Sequence, residues 1–553
     1  GANQGQTTDK TALWILPCVS GCDLGRFTYD KCGNRKTMCD SRGVTVYFYD
    51  AMNRLVKVIE PDEKWIAYEY DLNSNRTKMT VHLDSSTEHV TQYAYNDRGL
   101  LSRVTDQLGG YTDYTYKDNG LVDTITYPNS TSAVHTYNSR NWLTVLENKK
   151  SNDTVIAKFT YSYDTTYWGK NGMRTQVVEE ILTPSGSTPT VINAQVDYEY
   201  DNLYRLTHEH RIAYGGGNAG VTYEYNFTYD AAGNRTSWQV VGGSTTNYTY
   251  DAANKMTSPG TFTYDDKGNT STIASGGVTT TYTWDLLNRM TKWEKTNQTT
   301  IDFVYNAFGM RVRKTPSGGT ATNFLLDRKE VAEEITGSSA TAYVGRGIIS
   351  KISGTTRTVY HADRIGSTRA MSDGSQVVAE AAVYSAYGSL EVEYGTSSTP
   401  GFGYAGQFRY YTDSTGLDYL KARYYDPSVG RFLSRDPLGM DQNTYAYSGD
   451  DPVNAVDPTG LVQCTISCTP WKKLLWIGWP SFIPGVGVAP AVTLYMRSCE
   501  RVCVDWVWTE IIIPCTGEIT LMKVGKVVSR KSWTENYWDT YGSPPSDSSN
   551  WRP

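Results

Sequence analysis

A tyrosine followed by an aspartate or asparagine returns along this chain at a nearly fixed interval. No other feature constrains the fold as strongly. The pair stands at Tyr29-Asp30, Tyr49-Asp50, Tyr70-Asp71, Tyr95-Asn96, Tyr137-Asn138, Tyr200-Asp201, Tyr229-Asp230, Tyr250-Asp251, Tyr264-Asp265 and Tyr305-Asn306. Trp284-Asp285 replaces the tyrosine once, and Tyr116 keeps its place before Lys117. The steps from 49 to 70, 95 to 116, 116 to 137, 229 to 250 and 284 to 305 are each 21 residues. Longer steps, as from Tyr163 to Tyr200, imply loop insertions. Self-similarity at a fixed period marks a repeat architecture.

Each unit has a physical logic. Alternation before the turn, as in Tyr68-Glu69-Tyr70 and Tyr223-Glu224-Tyr225, lines tyrosines along one strand face. The aspartate then opens a turn, because its carboxylate caps nearby backbone N–H groups. Gly or Asn, as in Gly33-Asn34-Arg35, Asn53-Arg54-Leu55 and Gly268-Asn269, supplies the left-handed position. The strand that follows, such as Leu100 to Val104, returns antiparallel. One repeat is therefore one hairpin, and hairpins must stack to bury a face. Composition agrees: Tyr numbers 43 against 12 Phe and 15 Trp, with 49 Gly. The expected fold is all-β, and the tyrosines and aspartates are read as serving folding rather than sugar binding or catalysis.

The array spans residues 27–315. It is preceded by a cysteine-containing segment (1–26) and followed by a region at 316–461 and a C-terminal segment at 462–553. A net charge of −6 with no long basic run argues against a nucleic-acid partner bound through phosphates. The uncharged stretch 474–496 is long enough to span a membrane, but Pro480, Pro484 and Pro490 make it a poor helix, so membrane contact is not expected. No secretory signal stands at Gly1, which implies prior processing or a fragment.

Two Asp-Pro-x-Gly boxes stand out, Asp436-Pro437-Leu438-Gly439 and Asp457-Pro458-Thr459-Gly460. Read plainly, they are turn chemistry, and Asp426-Pro427 and Asp451-Pro452 show the dipeptide without the glycine. Read chemically, two carboxylates in one site cannot both ionise cheaply, so one activates water while the other protonates a leaving amide.

The repeat unit resembles the YD repeat of RHS proteins, toxin-complex C components and teneurins. Residues 358–461 resemble the RHS-associated core. The resemblance is carried by Tyr360-His361-Ala362-Asp363-Arg364-Ile365-Gly366-Ser367-Thr368, Tyr384-Ser385-Ala386-Tyr387-Gly388, Gly416 through Pro427, Gly430 through Gly439, and Asp450 through Leu461. It implies a spiralling β-hairpin shell, closed or capped by the core; with about a dozen repeats, an open spiral is the alternative. It further implies aspartate-dependent self-cleavage, with Asp436 and Asp457 as the acid–base pair, Leu461–Val462 as the scissile bond, and Arg431 as a candidate partner of a carboxylate. No cofactor or metal is implied.

The segment from Val462 to Pro553 contains none of the six histidines, which disfavours His-dependent nucleases and hydrolases there. It holds five of the nine cysteines. Cys464-x3-Cys468 and Cys499-x3-Cys503 fit two antiparallel helices, since residues four apart share a face, and pairing Cys464 with Cys503 and Cys468 with Cys499 is one possible connectivity. Cys18, Cys22, Cys32 and Cys39 would pair among themselves or bind zinc, with disulfides favoured. The odd total leaves one thiol, for which Cys515 is the candidate. Two functions follow. One is a secreted or cell-surface delivery protein whose own C-terminal domain is cargo. The other is an extracellular structural or adhesive protein that self-associates into an oligomer or fibre through that tail.

Overall fold

Hairpin turns with one recurring hydrogen-bond pattern organise the two large sheets. The computed structural model describes residues 25–165, 172–184, 190–214, 220–345, 347–395, 401–437 and 443–461. Beyond these it describes the backbones of strands at 465–468, 472–477, 482–483, 487–488, 492–502 and 530–539. In the first turn, Asp30 Oδ1 accepts the N–H groups of Cys32 and Asn34 at 2.9 and 2.8 Å, and the Gly33 N–H returns to the Asp30 carbonyl. Asp50, Asp201, Asp230, Asp251, Asp265 and Asp285 repeat this geometry, each accepting from the residues two and four ahead. The fourth turn position takes positive φ, as at Gly33 (81°) and Asn53 (60°), which explains the Gly or Asn there.

At several turns the fifth position stitches one turn to the next. Asn34 Nδ2 donates to Asn53 Oδ1 at 2.7 Å, and Arg54 Nη1 donates to the Asp71 carbonyl at 2.9 Å. The repeat tyrosine makes a longer stitch. Tyr70, Tyr116, Tyr137, Tyr250 and Tyr305 each donate the hydroxyl to a main-chain carbonyl 15 residues upstream, at 2.6 to 3.0 Å. A phenylalanine could fill the space but could not make this bond, and that accounts for the excess of tyrosine over phenylalanine.

Strands pair antiparallel with their sequence neighbours into a 19-stranded sheet from Arg26–Tyr29 to Thr245–Asn247 and a 14-stranded sheet from Thr261–Tyr264 to Leu390–Gly395. The short pair Thr249–Tyr250 and Met256–Ser258 stands between them. The second sheet runs on past residue 315 to Gly395. The two sheets share one core, in which Ile66, Val81, Phe159 and Ile181 from the first cluster with Leu325, Ile352, Val359 and Val383 from the second. Ion pairs cross the same interface: Arg76 with Asp327 at 2.5 Å, Arg357 with Asp106 at 2.8 Å, and Arg369 with Glu179 at 2.8 Å. Breaking one partner of such a buried pair strands the other charge, which ties the two sheets together.

Residues 401–461 fold differently, with a small four-stranded sheet (Tyr411–Thr412, Asp418–Tyr419, Tyr424–Asp426, Arg431–Phe432) and two short 3₁₀ turns. This segment binds both large sheets. Arg174 N–H donates to Asn454 Oδ1 at 3.0 Å in the first, and Tyr445 donates to the Gly268 carbonyl at 2.6 Å in the second. It therefore caps the shell by joining both walls.

The cysteine expectations need two corrections. Thr465–Cys468 and Val492–Val502 are antiparallel strands rather than helices, and their register sets Cys468 opposite Cys499. Val492, Thr493 and Tyr495 favour a strand, and positions four apart share a face in a strand as in a helix. Cys32 is not in a disulfide: it is a free thiol, exposed at the tip of the Asp30 turn, whereas Cys39 is disulfide-bonded. Cys18, Cys22, Cys464, Cys503 and Cys515 lie outside the described residues.

Candidate functional site

The candidate site lies where three pieces of the cap meet: the hairpin Asp418–Asp426, the segment after Arg431–Phe432, and the strap ending at Leu461. Asp436 is fixed through its main chain, donating its N–H to the Thr444 carbonyl at 2.8 Å. Asp457 is fixed by Tyr410, whose hydroxyl accepts the Asp457 N–H at 2.7 Å and donates to the Asp457 carbonyl at 2.8 Å. Tyr410 is itself buried among Tyr404, Tyr425, Phe432 and Tyr447. The Asp457 side chain then turns the strap: Oδ1 accepts the N–H groups of Thr459 at 3.3 Å and Leu461 at 3.1 Å.

The structure brings the two box aspartates together on one cation. Arg423 Nη2 reaches Asp436 Oδ2 at 3.5 Å and Asp457 Oδ2 at 3.3 Å. All three side chains are buried. The guanidinium also donates from Nη1 to the Thr444 carbonyl at 3.0 Å and from Nε to the Gly460 carbonyl, and its carbon sits 3.5 Å from the Phe432 ring centroid. One arginine thus neutralises charge between two buried carboxylates and holds both segments that carry them.

Arg431, the expected partner of a carboxylate, favours the charged form of Asp450 and is held on the shell side of the cap. It donates to Asn234 Oδ1 at 2.9 Å and to the Asn254 carbonyl at 2.6 Å, and its guanidinium lies 4.5 Å from the Tyr250 ring centroid. Side chains alternate along a strand, so with Phe432 under Arg423 the neighbouring Arg431 faces the shell wall. It fastens the cap to a turn of the first sheet and to the short strand pair that follows that sheet. Arg423 is the residue that sequence reasoning passed over. It lies 13 positions before Asp436, and only the fold of the hairpin carries it there. Leu461 is placed at the end of the strap; Val462 lies outside the described residues.

The cap holds other largely buried acids. Burial pushes Asp418, Asp450 and Asp451 up to about 7, against the pull of the Thr412 hydroxyl on Asp418, of Arg431, Arg205 and Arg235 on Asp450, and of Asn454 on Asp451. No group of three or more His, Cys, Asp and Glu that could hold a metal ion occurs among the described residues. No helix among them is long and apolar enough to cross a membrane.

Hairpins stitched turn to turn, two sheets over one core, and a cap carrying two converging aspartates define the YD-shell class. The family model described as teneurin YD-shell matches residues 186–453. The repeats and the fold of the chain are those of the RHS/YD-repeat kind. The chain is 28% identical over 300 residues to the tRNA3(Ser)-specific nuclease WapA of Bacillus spizizenii, covering 48% of this chain and 13% of that protein. It is 40% identical over 109 residues to the double-stranded DNA deaminase toxin A of Burkholderia cenocepacia, covering 18% of this chain and 7% of that protein. The crystal structure of TcdB2-TccC3-Cdc42 matches with a TM-score of 0.56 at 17% identity, over 80% of this chain and 28% of that one, and so shares the fold. The chain thus spans only a small part of the length of these relatives.

Proposed function

We propose that this chain is the carrier part of a secreted or cell-surface toxin-delivery protein, and that its cap cuts the chain after Leu461 to free the segment that follows. One observation carries the reading: Asp436 and Asp457 converge on Arg423, and Asp457 Oδ1 sits 3.1 Å from the nitrogen of Leu461, the residue before the bond to be cut. In the proposed step one carboxylate takes a proton from water. The water oxygen bonds to the Leu461 carbonyl carbon, and the carbon–nitrogen bond to Val462 breaks. The other carboxyl gives its proton to the Val462 nitrogen, so one water is consumed. Arg423 holds the pair and braces the neighbouring Gly460 carbonyl. One relative named as a toxin and one named as a nuclease support delivery, and the bridged Cys39 supports an oxidising compartment. The domains that follow from this are a shell through Gly395, a cap at 401–461 and a released segment from Val462.

The test is intact mass under denaturing, reducing conditions for this chain and for Asp436→Asn and Asp457→Asn. Two fragments meeting at Leu461–Val462 in the parent, and one full-length chain in each variant, are expected. A single chain in the parent would overturn the reading and leave the cap as a structural plug.

A further inference from the structure

Three consecutive residues of the hairpin loop grip three consecutive carbonyls of the strap. Lys421 Nζ donates to the Pro458 carbonyl at 3.0 Å, the Ala422 N–H donates to the Thr459 carbonyl at 3.1 Å, and Arg423 Nε donates to the Gly460 carbonyl. The loop is built for this. Lys421 takes φ of 66°, a left-handed conformation uncommon for a lysine, and the Leu420 N–H closes the loop on the Arg423 carbonyl at 2.9 Å. The fit leaves no slack: a Cβ on Gly460 would lie 2.7 Å from the Leu420 carbonyl oxygen. Lys421 Nζ also donates to the Phe408 carbonyl at 3.3 Å, anchoring the loop from behind.

Arg423 also holds the two aspartates, but the rungs from Lys421 and Ala422 are bonds to the strap alone. The ladder touches only main-chain atoms of the strap, and it steps along them one residue at a time. A device of that kind fixes register. We propose that Lys421–Ala422–Arg423 is a main-chain clamp that sets which peptide bond is offered to Asp436 and Asp457, and that keeps the upstream strand seated after the cut. Lys421 is a positioning residue in it. The inference rests on the cleavage reading for its purpose, but the grip itself is independent of whether cutting occurs. Main-chain carbonyls are alike at every residue, but a slip would bring a residue with a side chain to the Gly460 position and drive its Cβ against the Leu420 carbonyl, so the gripped strap keeps one register and the cut falls at one bond only. A seated upstream strand also makes the reaction a single turnover, because its product occupies its own site.

Two measurements separate the clamp from the chemistry. The first is amide hydrogen exchange of the peptide covering 457–461 in the Asp436→Asn full chain, with and without Lys421→Met. Exchange at Thr459 and Leu461 is expected to rise by roughly tenfold, the order lost with one hydrogen bond, while the shell strands are unchanged and Lys421→Arg restores protection. Unchanged exchange in Lys421→Met overturns the clamp, whether or not the parent cuts. The second is the rate and site of cutting in freshly synthesised chains. Lys421→Met is expected to cut roughly tenfold slower with additional ends beside Leu461, and Lys421→Arg to restore the single end. A loosened strap that still cuts at the parental rate and bond would overturn the positioning role. Failure of the parent to cut would overturn the cleavage reading, with the exchange result still deciding the grip.

Discussion

Trp284 donates its indole N–H to the Thr270 carbonyl at 2.6 Å, the place and the bond that Tyr305 makes with Met290 one repeat later. The repeat thus asks for an aromatic ring with a donor at its far end. Tyr250→Phe removes that donor from the Arg235 carbonyl. The expected loss is about 1–3 kcal/mol, the cost of stranding a largely buried acceptor, read as a lower urea midpoint with an unchanged slope. Trp284→Tyr is expected to cost less than Trp284→Phe. Equal losses for the two Trp284 variants would mean that ring volume, and not the bond, selects the residue.

The hairpin array was legible because its information is local: period, turn aspartate and left-handed position lie within a few residues of one another. The tyrosine bond was half legible, since the ring is visible in sequence but its carbonyl 15 residues away is not. The array also outruns its spelling. Asp363 and Asp373 make the same capped turns, accepting from Ser367 and from Ser375 and Val377, with no tyrosine before them. A boundary drawn where the Tyr-Asp pair stops therefore falls short of the strand at Leu390–Gly395. In the cap, the two aspartates were marked by their boxes, but the arginine between them was not. Arg423 ends a hairpin loop and Arg431 opens a short strand, and only the fold of the cap decides which one faces the carboxylates. The CxxxC spacing satisfied a helix and a strand alike, so it could suggest a pairing without fixing the element.

Arg423 and Arg431 should therefore separate on mutation. Arg423→Met leaves two buried carboxylates without their cation and is expected to destabilise by about 3–5 kcal/mol and to abolish cutting. Arg431→Gln loses a shell anchor worth roughly 1–3 kcal/mol but leaves the aspartate pair in place, so cutting persists in the folded fraction. Denaturation midpoints together with intact mass check both. Abolished cutting in a fully folded Arg431→Gln chain would return Arg431 to the site.

Stability should fall on both sides of a mildly acidic optimum. Burial pushes Glu209 up to about 8, against the Ala386 N–H and Tyr223 hydroxyl that bind its carboxylate, and Asp418, Asp450 and Asp451 to about 7. Between the ordinary carboxylate value and those values the folded chain holds protons that the unfolded chain has released. Stability contributed by these groups is thus complete below the ordinary value and declines as pH rises, by about 1.4 kcal/mol per pH unit for each group in its window. The turn aspartates act oppositely. The Asn34 amide holds Asp30 below its ordinary value, backbone and side-chain donors of Arg54 hold Asp50 down, and the Asn75 amide does so at Asp71, so their contribution is lost as pH falls below the carboxylate range. Denaturant midpoints across pH should peak between about 4 and 6, and Glu209→Gln should flatten the alkaline decline. A midpoint that rises steadily from pH 5 to 8 would exclude this account.

Cysteine accessibility offers the remaining test. Cys32 is a free, exposed thiol in a turn, and Cys39 is bridged. Of nine cysteines, one free thiol leaves an even number for pairing. Cys468 and Cys499 are register partners on antiparallel strands, where opposed Cα atoms stand about 4.5–5.5 Å apart, within the span a disulfide needs. Alkylation of the native protein without reductant is expected to label Cys32 and spare Cys39, and non-reducing peptide mapping to recover Cys468 joined to Cys499. The bridge ties strands 31 positions apart, and closing a loop of that size stabilises by about 3–4 kcal/mol, so the Cys468→Ser and Cys499→Ser variants should each lose the segment's protease resistance to a similar degree. Labelling of both Cys468 and Cys499 without reductant would show that strand register alone, and no covalent bond, holds the two segments together.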